Sequence, residues 1–220
     1  MTKYGEGQRR LAELREQIGA ARAEMRKVIA AIEPQPADDY VFSTIAGPRR
    51  LSELFGESDH LFIVHNMGSS CPYCTLWADG YNGIYHHLAT RAAFVVSSPD
   101  PPEVQQEFAA SRGWSFPLVS HRGTTFAADM GYRSANGGWL PGISAFERHE
   151  GRMVRVSDTA SHPGDDLCAL WHIFDLLPQG AGSWSPRLSY GSTGEGIEGM
   201  STPVQQCCSC NGAEDREQDH

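Results

Sequence analysis

Two cysteines separated by two residues, Cys71-Pro72-Tyr73-Cys74, stand where an apolar run, Leu61-Phe62-Ile63-Val64, gives way to an amphipathic helical pattern. A buried strand that turns through Gly68-Ser69-Ser70 straight into a helix commits the chain to a layered α/β arrangement. The same junction constrains chemistry. A helix start offers unpaired backbone N–H groups and the positive end of the dipole, and both favour a thiolate over a thiol. Pro72 suits the first helical position, where its missing N–H costs nothing. A dithiol so placed can cycle to a disulfide.

The rest of the pattern alternates strand and helix. Tyr40 to Thr44 reads as a strand, Leu51 to Phe55 as a short helix, and Leu61 to His65 as a buried strand. A helix follows from Cys71 to about Arg91, with Trp77, Tyr81, Ile84, Tyr85 and Leu88 on one stripe. Ala93 to Ser97 is a strand, Pro101 or Pro102 opens a helix that ends at Gly113, and Phe116 to Ser120 is extended. Thr124 to Met130 reads as a short helix or turn. Ile143–Glu147 and Met153–Ser157 flank a turn at Glu150-Gly151 and predict an antiparallel hairpin, closed by a helix over Asp165 to Leu177. The sum is an α/β fold, a mixed β-sheet flanked by helices.

Ahead of this body, residues 8 to 33 predict a helix ended by Pro34 and Pro36. Its apolar residues Leu11, Leu14, Ile18, Ala21, Met25, Val28 and Ile32 recur at alternating spacings of three and four, a heptad seam that suits packing on its own domain or a homodimer. Three parts are expected: an amphipathic helix over 1–37, a domain over 38–178, and a flexible Gly/Ser/Pro-rich tail over 179–220 that carries Cys207, Cys208 and Cys210.

A net charge of −9 argues against nucleic acid as a partner, because phosphates need a basic footprint. No apolar stretch is long enough to span a bilayer, and the charged N-terminal helix is unlike a signal peptide. Six Cys, three crowded near the end, do not form a secreted disulfide framework, so a cytoplasmic location is expected.

Several segments carry a resemblance. They are Asp39-Tyr40-Val41-Phe42, Leu51 to Phe55, Cys71 to Asp79, His87 to Arg91, Gly113 to Ser120 and His172 to Pro178. With these in order the chain resembles the bacterial thioredoxin-like family called domain of unknown function 899, described as predicted dithiol-disulfide oxidoreductases, over roughly residues 8 to 178. The resemblance implies a thioredoxin-like fold with an N-terminal helical extension, and partners that are protein or small-molecule thiols and disulfides. It departs from thioredoxins at the proline that usually precedes the strand facing the cysteines. Counting back from Gly151 puts Ile143-Ser144 there, with Pro141 two residues early. Phe116 to Ser120 also looks like a peroxiredoxin segment. The peroxidatic pattern, however, needs Thr three residues before its Cys, where this chain has Gly68.

Cys71 is then the expected nucleophile and Cys74 the resolving thiol. His65, six residues before Cys71, is a candidate proton relay, because thioredoxins carry a buried carboxylate at about that place. The dipole alone brings the Cys71 pKa from about 8.5 to near 7, and a lower value needs direct hydrogen bonds to sulfur. Trp77 and Trp114 read as core, and Cys168 as an inert small hydrophobe. No cofactor or resident metal is expected. Two alternatives stay open. One is a metal-binding protein using Cys71 and Cys74 with His65 or the tail cysteines for Cu(I) or Zn. The other is a glutaredoxin-like reductase, whose characteristic tetrapeptide is Cys-Pro-Tyr-Cys. That class also needs a Thr-Val-Pro segment, which does not occur here.

Overall fold

The computed structural model describes residues 2–190. The elements up to Leu188 belong to one unit. Cys207, Cys208 and Cys210 lie outside the described residues.

The chain opens with α1 (Lys3–Ala31) and a two-residue strand β1 (Gln35–Pro36). A tight pair, β2 (Val41–Thr44) and β3 (Gly47–Arg50), leads into the short α2 (Leu51–Leu54). The central run is β4 (His60–His65), α3 (Pro72–Leu88), β5 (Ala93–Ser98), α4 (Pro102–Arg112) and β6 (Leu118–Ser120). A single turn, α5 (Phe126–Asp129), precedes the hairpin of β7 (Gly142–His149) and β8 (Arg152–Ala160), and α6 (Ala169–Phe174) closes the series. The strands form one mixed sheet in the order β1-β8-β7-β4-β5-β6-β2-β3. β4, β5 and β6 run parallel, and β7 lies antiparallel to both β4 and β8.

The period of two along the central strands divides the core. Leu61, Ile63 and Val95 pack on one face with Phe42, Phe55, Phe126 and Phe146. Val64, Phe94 and Val96 pack on the other against Trp77, Ala78 and Tyr81 of α3, with Phe116 and Trp171. A helix therefore covers the second face next to the C-terminal end of β4, and this places the Cys71 turn at the rim of the sheet.

Three segments differ from the sequence reading, each for a local reason. The first helix begins at Lys3, five residues early, because the Thr2 hydroxyl caps it by accepting the Gly5 N–H. The closing helix is shorter than the expected span from Asp165 to Leu177. The Asp165 carboxylate accepts the N–H groups of His162 and Leu167 and the indole N–H of Trp77, which holds that stretch as a turn. The expected boundary at 178 also falls short. Trp184 packs edge-on to Trp171 and Phe174, with ring centroids 5.7 and 5.0 Å apart, so the chain continues onto the core beyond α6.

Candidate active site

β4 delivers the chain to the rim at His65, and residues 66–70 turn it into α3. The turn is tied from two sides. The Asn66 side-chain oxygen accepts the Gly68 N–H at 2.8 Å, and Asp100 beyond β5 accepts the Ser69 N–H at 2.7 Å. Gly68 has φ +108°, and a Cβ there would stand 3.0 Å from the Asp100 carboxylate, so both the backbone angle and the close approach call for glycine. Nothing in the sequence marked Asp100, because its contact with the turn is made across β5.

Cys71 is the N-cap of α3, and Pro72 begins the helix. The Cys71 sulfur is half-buried and accepts the backbone N–H of Cys74 at 3.2 Å. Cys74 is buried, and its sulfur accepts the Met67 N–H at 3.4 Å. The two thiols are pushed apart in acidity. The Cys74 thiol donates to the Cys71 sulfur, and the N–H groups of Cys74 and Tyr73 add to this. Together they outweigh partial burial and bring the Cys71 pKa down to about 6. The same thiol contact and burial push Cys74 well above the ordinary thiol range, against the Met67 N–H. The fall at Cys71 exceeds what the dipole alone supplies, and the direct hydrogen bonds to sulfur account for the difference. Around the pair, the Tyr73 ring faces Trp171, with centroids 6.4 Å apart, so the variable tetrapeptide position is packed on the closing helix.

His65 stands elsewhere. It shares the strand face of Leu61 and Ile63 and stacks on Tyr132, with centroids 3.7 Å apart, and on Phe126 at 5.3 Å. Its Nε2 is 2.9 Å from the Ser144 hydroxyl. The α3 side chains pack on the opposite face, so the expected role of His65 as a relay for the cysteines is corrected. Burial lowers its pKa well below the usual histidine range, with His121 and Arg155 adding to the effect. His121 packs at the same end of the sheet. Its Nδ1 lies 2.9 Å from the Ser97 hydroxyl, and burial, aided by Arg133, brings its pKa to about 4. The parity of β4 decides which face His65 occupies: with Val64 turned toward α3, its neighbour must turn away.

Pro141 also sits differently from the count. β7 is longer than predicted and starts at Gly142, so Pro141 directly precedes it, and no peptide bond among the described residues is cis. Trp77 lies in the core, as read. Trp114 packs against the same cluster, and its N–H binds Asp79, which also pairs with Arg112. Cys168 is buried at the N-cap of α6, where burial raises its pKa. Among the described residues no group of three or more His, Cys, Asp or Glu is gathered as a metal ligand set.

The sequence matches the family described as bacterial protein of unknown function (DUF899) over residues 7–192. The chain belongs to that family. No curated protein matches it. Among solved structures it is similar to peroxidoxin BcpB from Mycobacterium tuberculosis, with 28% identity, 62% of this chain and 88% of that one covered, and a TM-score of 0.50. It is also similar to peroxiredoxin Q from Xanthomonas campestris, with 19% identity, 56% and 80% covered, and a TM-score of 0.47. The fold of this DUF899 member is thioredoxin-like, with a mixed sheet flanked by helices and an N-terminal helix.

Proposed function

We propose that this DUF899 protein is a thiol-disulfide oxidoreductase in which Cys71 attacks and Cys74 resolves. One observation carries the reading: the Cys71 sulfur sits half-exposed at the mouth of α3, with a pKa of about 6, one helical turn from a buried and far less acidic thiol. At pH 7 a group of pKa about 6 is roughly nine-tenths ionised, against a few per cent for an ordinary thiol. The Cys71 thiolate attacks one sulfur of a substrate disulfide, forms the mixed disulfide and expels the other sulfur as a thiolate. Cys74 then loses its proton and attacks the Cys71 sulfur. The Cys71–Cys74 bond forms, and the second substrate thiolate leaves with the electron pair. Two electrons pass to the substrate, and a thiol donor restores the dithiol.

The likeness to a peroxidoxin at 28% identity supports a second reading, a thiol peroxidase. There the Cys71 thiolate takes the terminal oxygen of a hydroperoxide and becomes a sulfenic acid, the alcohol or water leaves, and Cys74 condenses with the sulfenic acid to give the same disulfide and water. Gly68, three residues before Cys71, leaves that position without the hydroxyl of the peroxidatic pattern.

Single-turnover oxidation of the reduced protein separates the two readings. The disulfide reading expects rapid oxidation by a model disulfide and slow oxidation by hydrogen peroxide. It also expects no reaction in Cys71→Ser and an accumulating mixed disulfide in Cys74→Ser. Peroxide outpacing the disulfide by orders of magnitude transfers the assignment to the peroxidase. Equal, partial losses in the two variants contradict both sets of roles.

A further inference from the structure

We infer that Tyr81 serves the resolving step: its buried hydroxyl donates to the Cys74 sulfur as that sulfur becomes a thiolate. The inference rests on the reading in which Cys74 resolves. Among the described residues, four buried side-chain atoms have no hydrogen-bond partner: His65 Nδ1, His121 Nε2, the Trp171 indole nitrogen and the Tyr81 hydroxyl. A buried polar group left unpaired costs stability, so each such atom calls for a reason. Of the four, Tyr81 alone stands on α3, the helix that carries the cysteine pair at its start.

Helical spacing sets the hydroxyl on the side of the reacting sulfur. Cys74, Ala78 and Tyr81 follow one another at four and three residues, one stripe of α3, and all three are buried. Long side chains on a helix lean toward its N-terminus, so the Tyr81 ring reaches back over Ala78 in the direction of Cys74. Phe94 of β5 holds the ring edge-on, with centroids 5.5 Å apart. Burial raises the Tyr81 pKa, and Asp165, Cys168 and Cys74 raise it further. These three are the ionisable groups that face the hydroxyl, and it keeps its proton as a donor. The Asp165 carboxylate already accepts the Trp77 indole N–H at 3.2 Å and the N–H groups of His162 and Leu167, each at 3.0 Å. Cys168 is held as a thiol by burial and enters no step of the reaction. Cys74 is the group of the three that must change charge.

In the structure the Met67 N–H donates to the Cys74 sulfur at 3.4 Å. The contact with the Cys71 sulfur and burial both oppose ionisation of Cys74, and burial persists in the mixed disulfide. A hydroxyl free to turn supplies a further donor where the charge develops. The Cys74 S–H bond breaks and its proton goes to solvent. The sulfur's electron pair forms the bond to Cys71, and the second substrate thiolate leaves with the pair of the broken S–S bond. Tyr81 keeps its own proton throughout.

Stopped-flow release of a coloured aromatic thiolate from its symmetric disulfide tests this. The full chain carries Cys207→Ser, Cys208→Ser and Cys210→Ser, so that those thiols contribute no colour. The first equivalent of thiolate reports the attack of Cys71, and the second reports resolution by Cys74. In Tyr81→Phe the first release is expected to keep its rate. The second is expected to slow by about 10- to 100-fold, the effect of removing one hydrogen bond to a charged group, and its rise with pH to move to higher pH. The urea midpoint of Tyr81→Phe is expected to be equal or higher, because the ring stays and an unpaired buried hydroxyl is gone. An unchanged second release overturns the inference. Equal slowing of both releases also overturns it and makes Tyr81 a packing residue. Cys74→Ser in the same background separates this from the underlying reading. If it still delivers the second equivalent, the resolving role of Cys74 falls. If it stops after the first while Tyr81→Phe keeps both rates, the role of Tyr81 alone falls.

Discussion

Cys71 and Cys74 are three positions apart, yet their surroundings act on them in opposite senses. An acceptor at a helix N-cap is stabilised as an anion by whatever N–H groups point at it, and Cys71 has those of Cys74 and Tyr73 in addition to the neighbouring thiol. Alkylation of Cys71 by iodoacetamide is therefore expected to rise with pH through an inflection near 6 and to level off by neutral pH. An inflection near the ordinary thiol value of about 8.5 refutes the hydrogen-bonded thiolate. Gly142 is a second residue whose environment permits one side chain only. A Cβ there would collide with the Tyr132 ring and stand 2.6 Å from the Thr159 carbonyl oxygen. Gly142→Ala is expected to cost about 2–3 kcal/mol in urea denaturation, since neither backbone nor ring can yield without disturbing the β7–β8 ladder. A change within experimental error contradicts the close packing of Tyr132 on β7.

At the scale of elements, the parallel strands carry a buried pair of neutral imidazoles away from the cysteines. His65 and His121 both have pKa values lowered by burial. In the unfolded chain both take up protons as pH falls through about 6.5, while the folded chain resists until lower pH. Their contribution is present above pH 6.5 and is lost progressively toward pH 4. For His121 the loss is about 3 kcal/mol, the order set by its displacement to about 4. Stability by denaturant titration at pH 7 and pH 4.5 is expected to differ less in His121→Asn than in the wild type. An equal difference in both excludes His121 as a source of the acid sensitivity.

The sequence made the central strands legible because β4, β5 and the hairpin are continuous or alternating apolar runs bounded by turn residues. β3 was not legible, because Gly47-Pro48-Arg49-Arg50 has no apolar alternation and becomes a strand only by pairing with β2. The dithiol and its place at the start of α3 were readable from the chain. The hydrogen bonds to sulfur and the anchoring by Asp100 were not, because they depend on segments brought together by the sheet. The placement of His65 failed for a related reason. Its distance from Cys71 along the chain says nothing of the face it occupies.

For the molecule as a whole, α1 is an appendage whose ion pair with the body, Arg22–Asp166, is about half exposed and contributes at most about 1 kcal/mol. A chain lacking residues 1–33 is expected to keep the near-UV spectrum and the Cys71 alkylation profile of the full protein. Loss of the folded signal in that truncated chain shows that the helix supports the body beyond this pair. No helix among the described residues is long and apolar enough to cross a membrane.

The outermost strands have a consequence of their own. β1 and β3 are two and four residues long, and each contains a proline, Pro36 and Pro48, which has no N–H to offer a further strand. Arg49 and Arg50 add like charges to the β3 margin. Growth by lateral strand addition is blunted at both borders, which guards an eight-stranded sheet against polymerising into fibrils when the protein is concentrated.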